Sequence, residues 1–447
     1  LGKELHFPLP VLRKIPSILR KGDFKVTVTI SDKEVIDIEP GDSNHSYGIA
    51  LDIGTSTIVG YLMNLNTAEE LGVRSVVNPQ RKFGADVISR IKWVHDRGEQ
   101  GLKKLQDKVI KAINPIIEEL YHKNRIKPAN IYKAVIVGNP TMIHLFLGID
   151  PSYIDHSPYV PVLRDMTSFK GRELQLRMNP QGIAYILPNV SGYLGADIIA
   201  GVLYTEIYRS DGLKLLVDIG VNGEIVLGNK DDILACSAAA GPAFEGISAQ
   251  EGAICRVHID EEVRVEVIGG GKPRGICGSG VIDGVGELLR LGLISKSGLY
   301  QPLPIPAGKR LVEINGQYRF LLVEGDKPIY LTQKDIRELQ LAKGAIRAGI
   351  EILMKEMKII KDEIEEVFLA GAFGSFLRVE NVLRVGLLPE IPKVTLLGNA
   401  AGEGAKLCVV DEDKLNDVCN ILTKIKYLEL SYRSDFNDEF VRRIKFP

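Results

Sequence analysis

Two widely separated stretches of the chain share one pattern of apolar and polar positions, and the remaining elements are arranged around them. In ALDIGTSTIVGYLMN (50–64) and LLVDIGVNGEIVLG (215–228) an apolar run enters Asp-Ile-Gly, crosses a short polar turn and resumes as a second apolar run, so that Asp52 and Asp218 hold the same place. Ile49, Leu51 and Ile53 before the first turn and Ile58, Tyr61 and Leu62 after it predict a hairpin of two buried strands. Likeness at this separation implies two halves of like topology rather than a short-period repeat. Two such halves imply a cleft.

The flanking stretches complete an α/β chain. LHFPLP, KVTVTI and EVIDIEP predict three strands, with VLRKIPSILRK a short proline-interrupted helix between the first two. Residues 1–46 therefore read as a small α+β domain closing in the polar run 41–46, a spacer or a surface for a homodimer. Residues 47–205 form a first lobe. After its hairpin, Phe83–His95 and Gly101–Arg125 carry a helical period, the second broken by Pro115. AVIVGNPTMIHLFLG (134–148) is a buried strand, a sharp Gly-Asn-Pro turn and a helix in which His144 lies among Ile143, Leu145 and Phe146, the setting of packed core more than of a base. Pro151–Pro188 reads as an irregular surface insertion, and SGYLGADIIAGVLYTEI (191–207) as a glycine-opened helix with Asp197 in its first turn. Residues 206–447 form a second lobe with an insertion at about 230–340. It continues through the helix Lys334–Met357, the strand VFLAG ending at Gly371, a helix over 399–409, and a tail of YLELS and a helix over 435–445.

Composition narrows the function classes. A chain of 447 residues, 45% hydrophobic and 25% charged, has material for large cores and two or three domains. Its net charge of −1 supplies no long-range field for nucleic acid or an anionic membrane. The 5 cysteines, at 236, 255, 277, 408 and 419, lie far apart without a C-x-x-C, which suits a reducing, cytoplasmic setting. No apolar run reaches membrane-spanning length. The chain opens at Leu1 rather than methionine, which reads as a fragment with sequence missing upstream.

The candidate chemistry sits in the turns. Gly54 marks a close backbone approach, and Thr55, Ser56 and Thr57 offer hydroxyl and N–H donors; Val221, Asn222 and Gly223 fill the second turn between Gly220 and Glu224. Either turn alone is most simply an ordinary hairpin. Together they form two anion nests, each with an aspartate suited to a hydrated Mg²⁺, that clamp a polyphosphate from both sides. Asp197 either caps its helix or orients an attacking water. Gly371, Ala372, Phe373, Gly374 and Ser375 form a strand-end turn against which a base and ribose can lie. Ser237 is the one polar handle in the small-residue stretch CSAAAGPAFEG, whose lack of bulk admits a flat ligand or tight packing. In GGGKPRGICGSG, Lys272 is followed by Pro273, so the phosphate-loop pattern fails, as does dinucleotide spacing; Gly278–Gly280 reads as a helix start near a nucleotide.

In their order along the chain these motifs resemble the superfamily of sugar kinases, heat-shock ATPases and actin. LDIGTSTIVGYLMN looks like its first phosphate motif, GADIIAGVL its first connecting helix, LLVDIGVNGEIVLG its second phosphate motif, FLAGAFGSF its adenosine motif and GNAAGEGAKL its second connecting helix. The resemblance implies two ribonuclease-H-like lobes around an ATP–Mg²⁺ cleft. Asp52 and Asp218 would be the metal-side aspartates, Thr55–Thr57 and Asn222–Glu224 the phosphate turns, and Gly371–Ser375 the nucleoside contacts.

Within that group, CSAAAGPAFEG, GGGKPRGICGSGVIDGVGELL, VGNPTMIHLFLG and SGYLGADIIAG look most like the reductive activators of corrinoid proteins, with 1–46 similar to the family's middle domain. The resemblance implies ATP-driven reduction of inactive Co(II) corrinoid to Co(I) on a partner protein of a methyltransferase or O-demethylase system of anaerobes. It also implies a low-potential electron donor, and Ser237 facing the partner's corrinoid. Such activators carry an iron–sulfur ferredoxin domain, whereas no cluster-binding cysteine pattern stands here, so the cluster is expected only in a domain outside this chain. The other classes compatible with the motifs are a small-molecule kinase using Asp197 as base and, with less support, a chaperone-like or filament-forming ATPase.

Overall fold

The computed structural model describes residues 4–31, 33–220, 222–241, 251–371 and 376–447. The chain divides into two compact units, one of residues 1–200 with 401–422, the other of 201–400 with 423–447.

In the first unit the predicted hairpin is the middle of a sheet. Tyr47–Ile53 pairs antiparallel with Thr57–Asn64, which pairs antiparallel with Glu70–Val77; on its other side Tyr47–Ile53 runs parallel to Ile131–Gly138, followed by Ile183–Ile186 and the edge strand Thr167–Lys170. Ile49, Leu51, Ile53, Ile58 and Leu62 are buried in one core with Leu105, Val109, Ile113 and Ile116 of the long helix Val87–Lys123. Each such side chain contributes roughly 1.5–3 kcal/mol relative to exposure.

Three sequence expectations differ from the structure. LHFPLP is not a strand. Only His6 makes a bridge, to Glu34, and the chain turns helical over Leu9–Leu12, because Pro8 and Pro10 lack the N–H a ladder needs and Pro10 falls in the helix's first turn, where that loss is harmless. The two helical segments are present as expected, meeting at non-helical Gly98, whose φ of 56° is left-handed, but the second runs through Pro115 without the expected break. Ile113, Ile116 and Ile117, all buried, hold the turn around Pro115 in place. Pro151–Pro188 contributes two strands to the sheet rather than a surface insertion.

The N-terminal segment is fastened to this lobe by polar contacts from its strand Glu34–Pro40. Asp37, 4% exposed, accepts from Lys14 Nζ and Asn179 Nδ2, each at 2.8 Å, while Glu39 accepts from Asn130 Nδ2 at 2.8 Å and Tyr132 Oη at 3.1 Å. Buried carboxylates are tolerated only with such partners.

The second unit repeats the plan. Leu213–Ile219 pairs antiparallel with Gly223–Gly228 and that with Ile233–Ala238, while on its other side Leu213–Ile219 runs parallel to Ile364–Ala370 and then Val394–Gly398. Both sheets thus have three antiparallel strands followed by two parallel ones at matching places, the ribonuclease-H-like order, with Thr167–Lys170 added antiparallel at the edge of the first. The tail adds a sixth strand, Ile425–Tyr427, which ends on the first residue of YLELS and runs parallel to Ile233–Ala238. The insertion holds two three-stranded sheets and the helix Gly278–Arg290. Helix Gln333–Met357 starts at a capping box of Thr332 and Asp335 and packs beneath the main sheet.

Candidate functional site

In the first unit Asp52 is the penultimate residue of its strand, half-buried, opposite Val59 on one neighbour and Val137 on the other. The turn that follows is held by buried groups. A Cβ on Gly54 would lie 2.7 Å from Thr57 O, so only glycine fits. The Gly54 carbonyl accepts from Asn78 Nδ2 (2.9 Å), the Thr55 carbonyl from Arg90 Nη2 (2.5 Å) and the Ser56 carbonyl from Asn78 N (2.9 Å). Thr55 Oγ1 accepts from Asn139 Nδ2 at 2.9 Å, and Asn139 in turn caps the helix Pro140–Leu147 through Met142 N.

Asp197 joins this group. It lies in the first turn of Ala196–Thr205, with Oδ1 accepting from Ile198 N at 2.9 Å. A Cβ on neighbouring Gly195 would sit 2.7 Å from Gly138 O and Asn139 Cα and 2.8 Å from Asp197 Oδ1, which places the carboxylate beside the Gly-Asn-Pro turn that holds Thr55. Desolvation by the surrounding protein pushes its pKa up to about 6, against hydrogen bonds from backbone N–H groups that oppose the shift. His144 is fully buried and belongs to the core. Its Nδ1 donates to Pro140 O at 2.6 Å, which leaves Nε2 to accept from Val162 N at 3.0 Å, and burial lowers its pKa, so it is held as one neutral tautomer.

In the second unit Asp218, Glu224 and Ser237 lie opposite one another on three adjacent strands and so share a face of the sheet. Ser237 is therefore a strand residue, roughly 10 Å from Asp218 across two strand spacings, and not a handle on a loop. Gly220 N donates to Asn222 O at 2.9 Å and closes the turn. Gly223 serves packing, since a Cβ there would meet Ile346 Cγ1 at 2.5 Å. Gly371 has φ +107°, and a Cβ would lie 2.3 Å from Ile219 O and 2.9 Å from Asp218 Oδ1. The strand end is thus pressed against the aspartate. Val221 and Ala372, Phe373, Gly374 and Ser375 fall outside the described residues, as does most of the GPAFEG stretch. Beyond them Arg256 Nε donates to Phe376 O at 3.3 Å and Arg378 Nε to the fully buried Asp283 at 2.9 Å, anchoring the segment after the turn to the insertion.

A half-buried carboxylate beside each turn is a ligand type that a hydrated Mg²⁺ accepts. No group of three or more His, Cys, Asp or Glu among the described residues is placed to hold a bare ion. Among the same residues no helix is long and apolar enough to cross a membrane.

Sequence reasoning missed Arg90, Asn78 and Asn139. A signal existed for Arg90, a charge placed three residues after Val87 and four before Val94 on the apolar face of its helix. Asn78 carried none.

Paired ribonuclease-H-like lobes, each with an Asp-Ile-Gly turn at the same strand end, define the nucleotide-binding ASKHA class of ATPase folds. Residues 212–447 match the family model described as the C-terminal domain of RACo, the ASKHA domain; 47–210 match the RACo middle region and 1–45 the RACo linker region. The chain belongs to the RACo family. It is 34% identical to the corrinoid activation enzyme RamQ of Eubacterium limosum over 98% of this chain and 80% of that protein. It is 28% identical to the [Co(II) methylated amine-specific corrinoid protein] reductase of Methanosarcina barkeri over 90% of this chain and 77% of that one. Among solved structures it is similar to a reductive activator for corrinoid, iron–sulfur protein, with a TM-score of 0.90 and 39% identity over 99% of this chain and 73% of that chain. The N-terminal 45 residues match the linker region, and the family's middle region begins at residue 47.

Proposed function

We propose that this protein is an ATP-dependent reductive activator that returns Co(II) corrinoid on a partner protein to Co(I). One electron from a low-potential donor reduces the cobalt, and hydrolysis of ATP to ADP and phosphate makes the transfer run uphill. The observation that carries the reading is that all three RACo regions match in order along the chain, together with the duplicated aspartate turn. Gly54–Thr57 and Gly220–Glu224 are assigned to phosphate binding, Asp52 and Asp218 to the Mg²⁺ side and Gly371–Ser375 to the nucleoside.

Coupling requires that the ATP-bound and product-bound states differ in affinity for the partner, since a ligand shifts an equilibrium only by its differential binding. Ser237 is assigned to the partner's corrinoid. What supports the assignment is its place in one cross-strand row with Glu224 and Asp218, on the same sheet face as the aspartate assigned to the Mg²⁺ side. ATP hydrolysis with and without Co(II)-loaded corrinoid protein tests the function. Stimulation by the partner, lost in Ser237→Ala, is expected; turnover dependent on a sugar or organic acid instead would identify a small-molecule kinase.

Asp197 acts on water only as the carboxylate, which prevails above about pH 6. Stimulated ATPase activity should therefore fall as pH drops through 6, and Asp197→Asn should abolish that step while lowering the rate at neutral pH. A wild-type profile flat from pH 7 to 5 would return Asp197 to a capping role.

A further inference from the structure

The buried groups behind the first phosphate turn do more than support it. Arg90 is completely buried, and its guanidinium donates through Nη2 to Thr55 O (2.5 Å), Nε to Gly84 O (3.0 Å), and Nη1 to Gln80 Oε1 (3.4 Å) and Met142 Sδ (2.9 Å). Asn78, also fully buried, takes the carbonyls on either side, Gly54 and Ser56. Three consecutive peptide units thus have their oxygens turned onto inward donors. In a trans peptide the N–H points opposite to the C=O. The N–H groups of Thr55, Ser56 and Thr57 are therefore aimed away from Arg90 and Asn78. A cation bonded to the middle carbonyl further polarises the Thr55–Ser56 peptide and strengthens its N–H as a donor.

We infer that Arg90, with Asn78, is the positioning residue that fixes the Gly54–Thr57 turn in its anion-accepting orientation and supplies positive potential behind it, so that affinity for a nucleoside triphosphate depends on a side chain that never touches it. The inference rests on the ATP reading above. It gives the fully buried cation a use, since burying a guanidinium is costly without such partners.

The test is equilibrium binding of ATP and ADP to the wild type and to Arg90→Lys, Arg90→Ala and Asn78→Ala, each first shown to be folded by circular dichroism and a cooperative melt. Arg90→Lys keeps the charge and loses the fork, and should weaken ATP roughly tenfold, a change of about 1.4 kcal/mol; Arg90→Ala should weaken it further and recover on addition of millimolar guanidinium ion. Asn78→Ala, which removes the donor to Gly54 and the side-chain acceptor of Gln80 N but leaves the backbone N–H to Ser56, should weaken ATP in the same direction, with KM rising more than kcat falls. Where Arg90→Ala does not fold, Arg90→Lys and Asn78→Ala decide. Folded variants that bind ATP as tightly as a binding-competent wild type overturn the inference and leave the ATP reading standing. A wild type that binds no ATP overturns both.

Discussion

Asp218→Asn is expected to lower ATP hydrolysis by at least about 100-fold, roughly 2.7 kcal/mol of transition-state stabilisation, with little change in thermal stability. Asp52→Asn should behave alike. Both residues stand one position before the end of the central strand of their sheet, with the turn beginning two residues on. Each is flanked on the parallel side by the end of another strand, Val137 for Asp52 and Ala370 for Asp218. The amide is isosteric with the carboxylate but carries no charge to offer a divalent cation, so packing survives and metal-side chemistry does not. Matched losses from the two variants would show that both turns serve one reaction. A loss confined to one variant would leave the other aspartate a structural strand residue.

Gly371→Ala should be more damaging to the fold than any other single methyl group added near the site. Its φ of +107° is strained for any side chain, and the new Cβ would lie 2.3 Å from Ile219 O, a backbone atom in the central strand that cannot swing aside. The expected cost is about 2 kcal/mol or more, or a fall of about 5 °C in melting midpoint for a unit of this size. Because the same Cβ would lie 2.9 Å from Asp218 Oδ1, the surviving folded protein should also bind ATP more weakly. Differential scanning calorimetry and ATP titration on one preparation check both. An unchanged melt would mean that the strand end relaxes without strain.

The duplicated hairpins were legible because the apolar alternation around them is strict. Ile49, Leu51 and Ile53 are buried as their spacing predicts, and Asp52 and Asp218 follow from it. Elements without such a period were not legible. Thr167–Lys170 and Ile183–Ile186 are four-residue strands in a proline-rich stretch, and their strand character comes from the register they find beside Ile131–Gly138, not from their own pattern. Ile425–Tyr427 is likewise made a strand by its neighbour Ile233–Ala238. The break between the two helices at Gly98 falls in the gap their periods left, whereas the break expected at Pro115 is absent because packing there outweighs one lost hydrogen bond. In the turns, residues Gly54–Thr57 and Gly220–Glu224 carry recognisable turn chemistry in the sequence. Those behind the turn, Asn78 and Arg90, are identified only when the fold brings them to the carbonyls they bind.

The central claim is that ATP moves an electron onto cobalt, and the visible spectrum of the partner tests it most directly. With Co(II) corrinoid protein and a low-potential chemical reductant such as titanium(III) citrate, the Co(I) band should grow only when this chain and ATP are both present, and should fail with Asp218→Asn. Equal growth without ATP, or steady ATP hydrolysis in the complete mixture with no Co(I), would contradict the account.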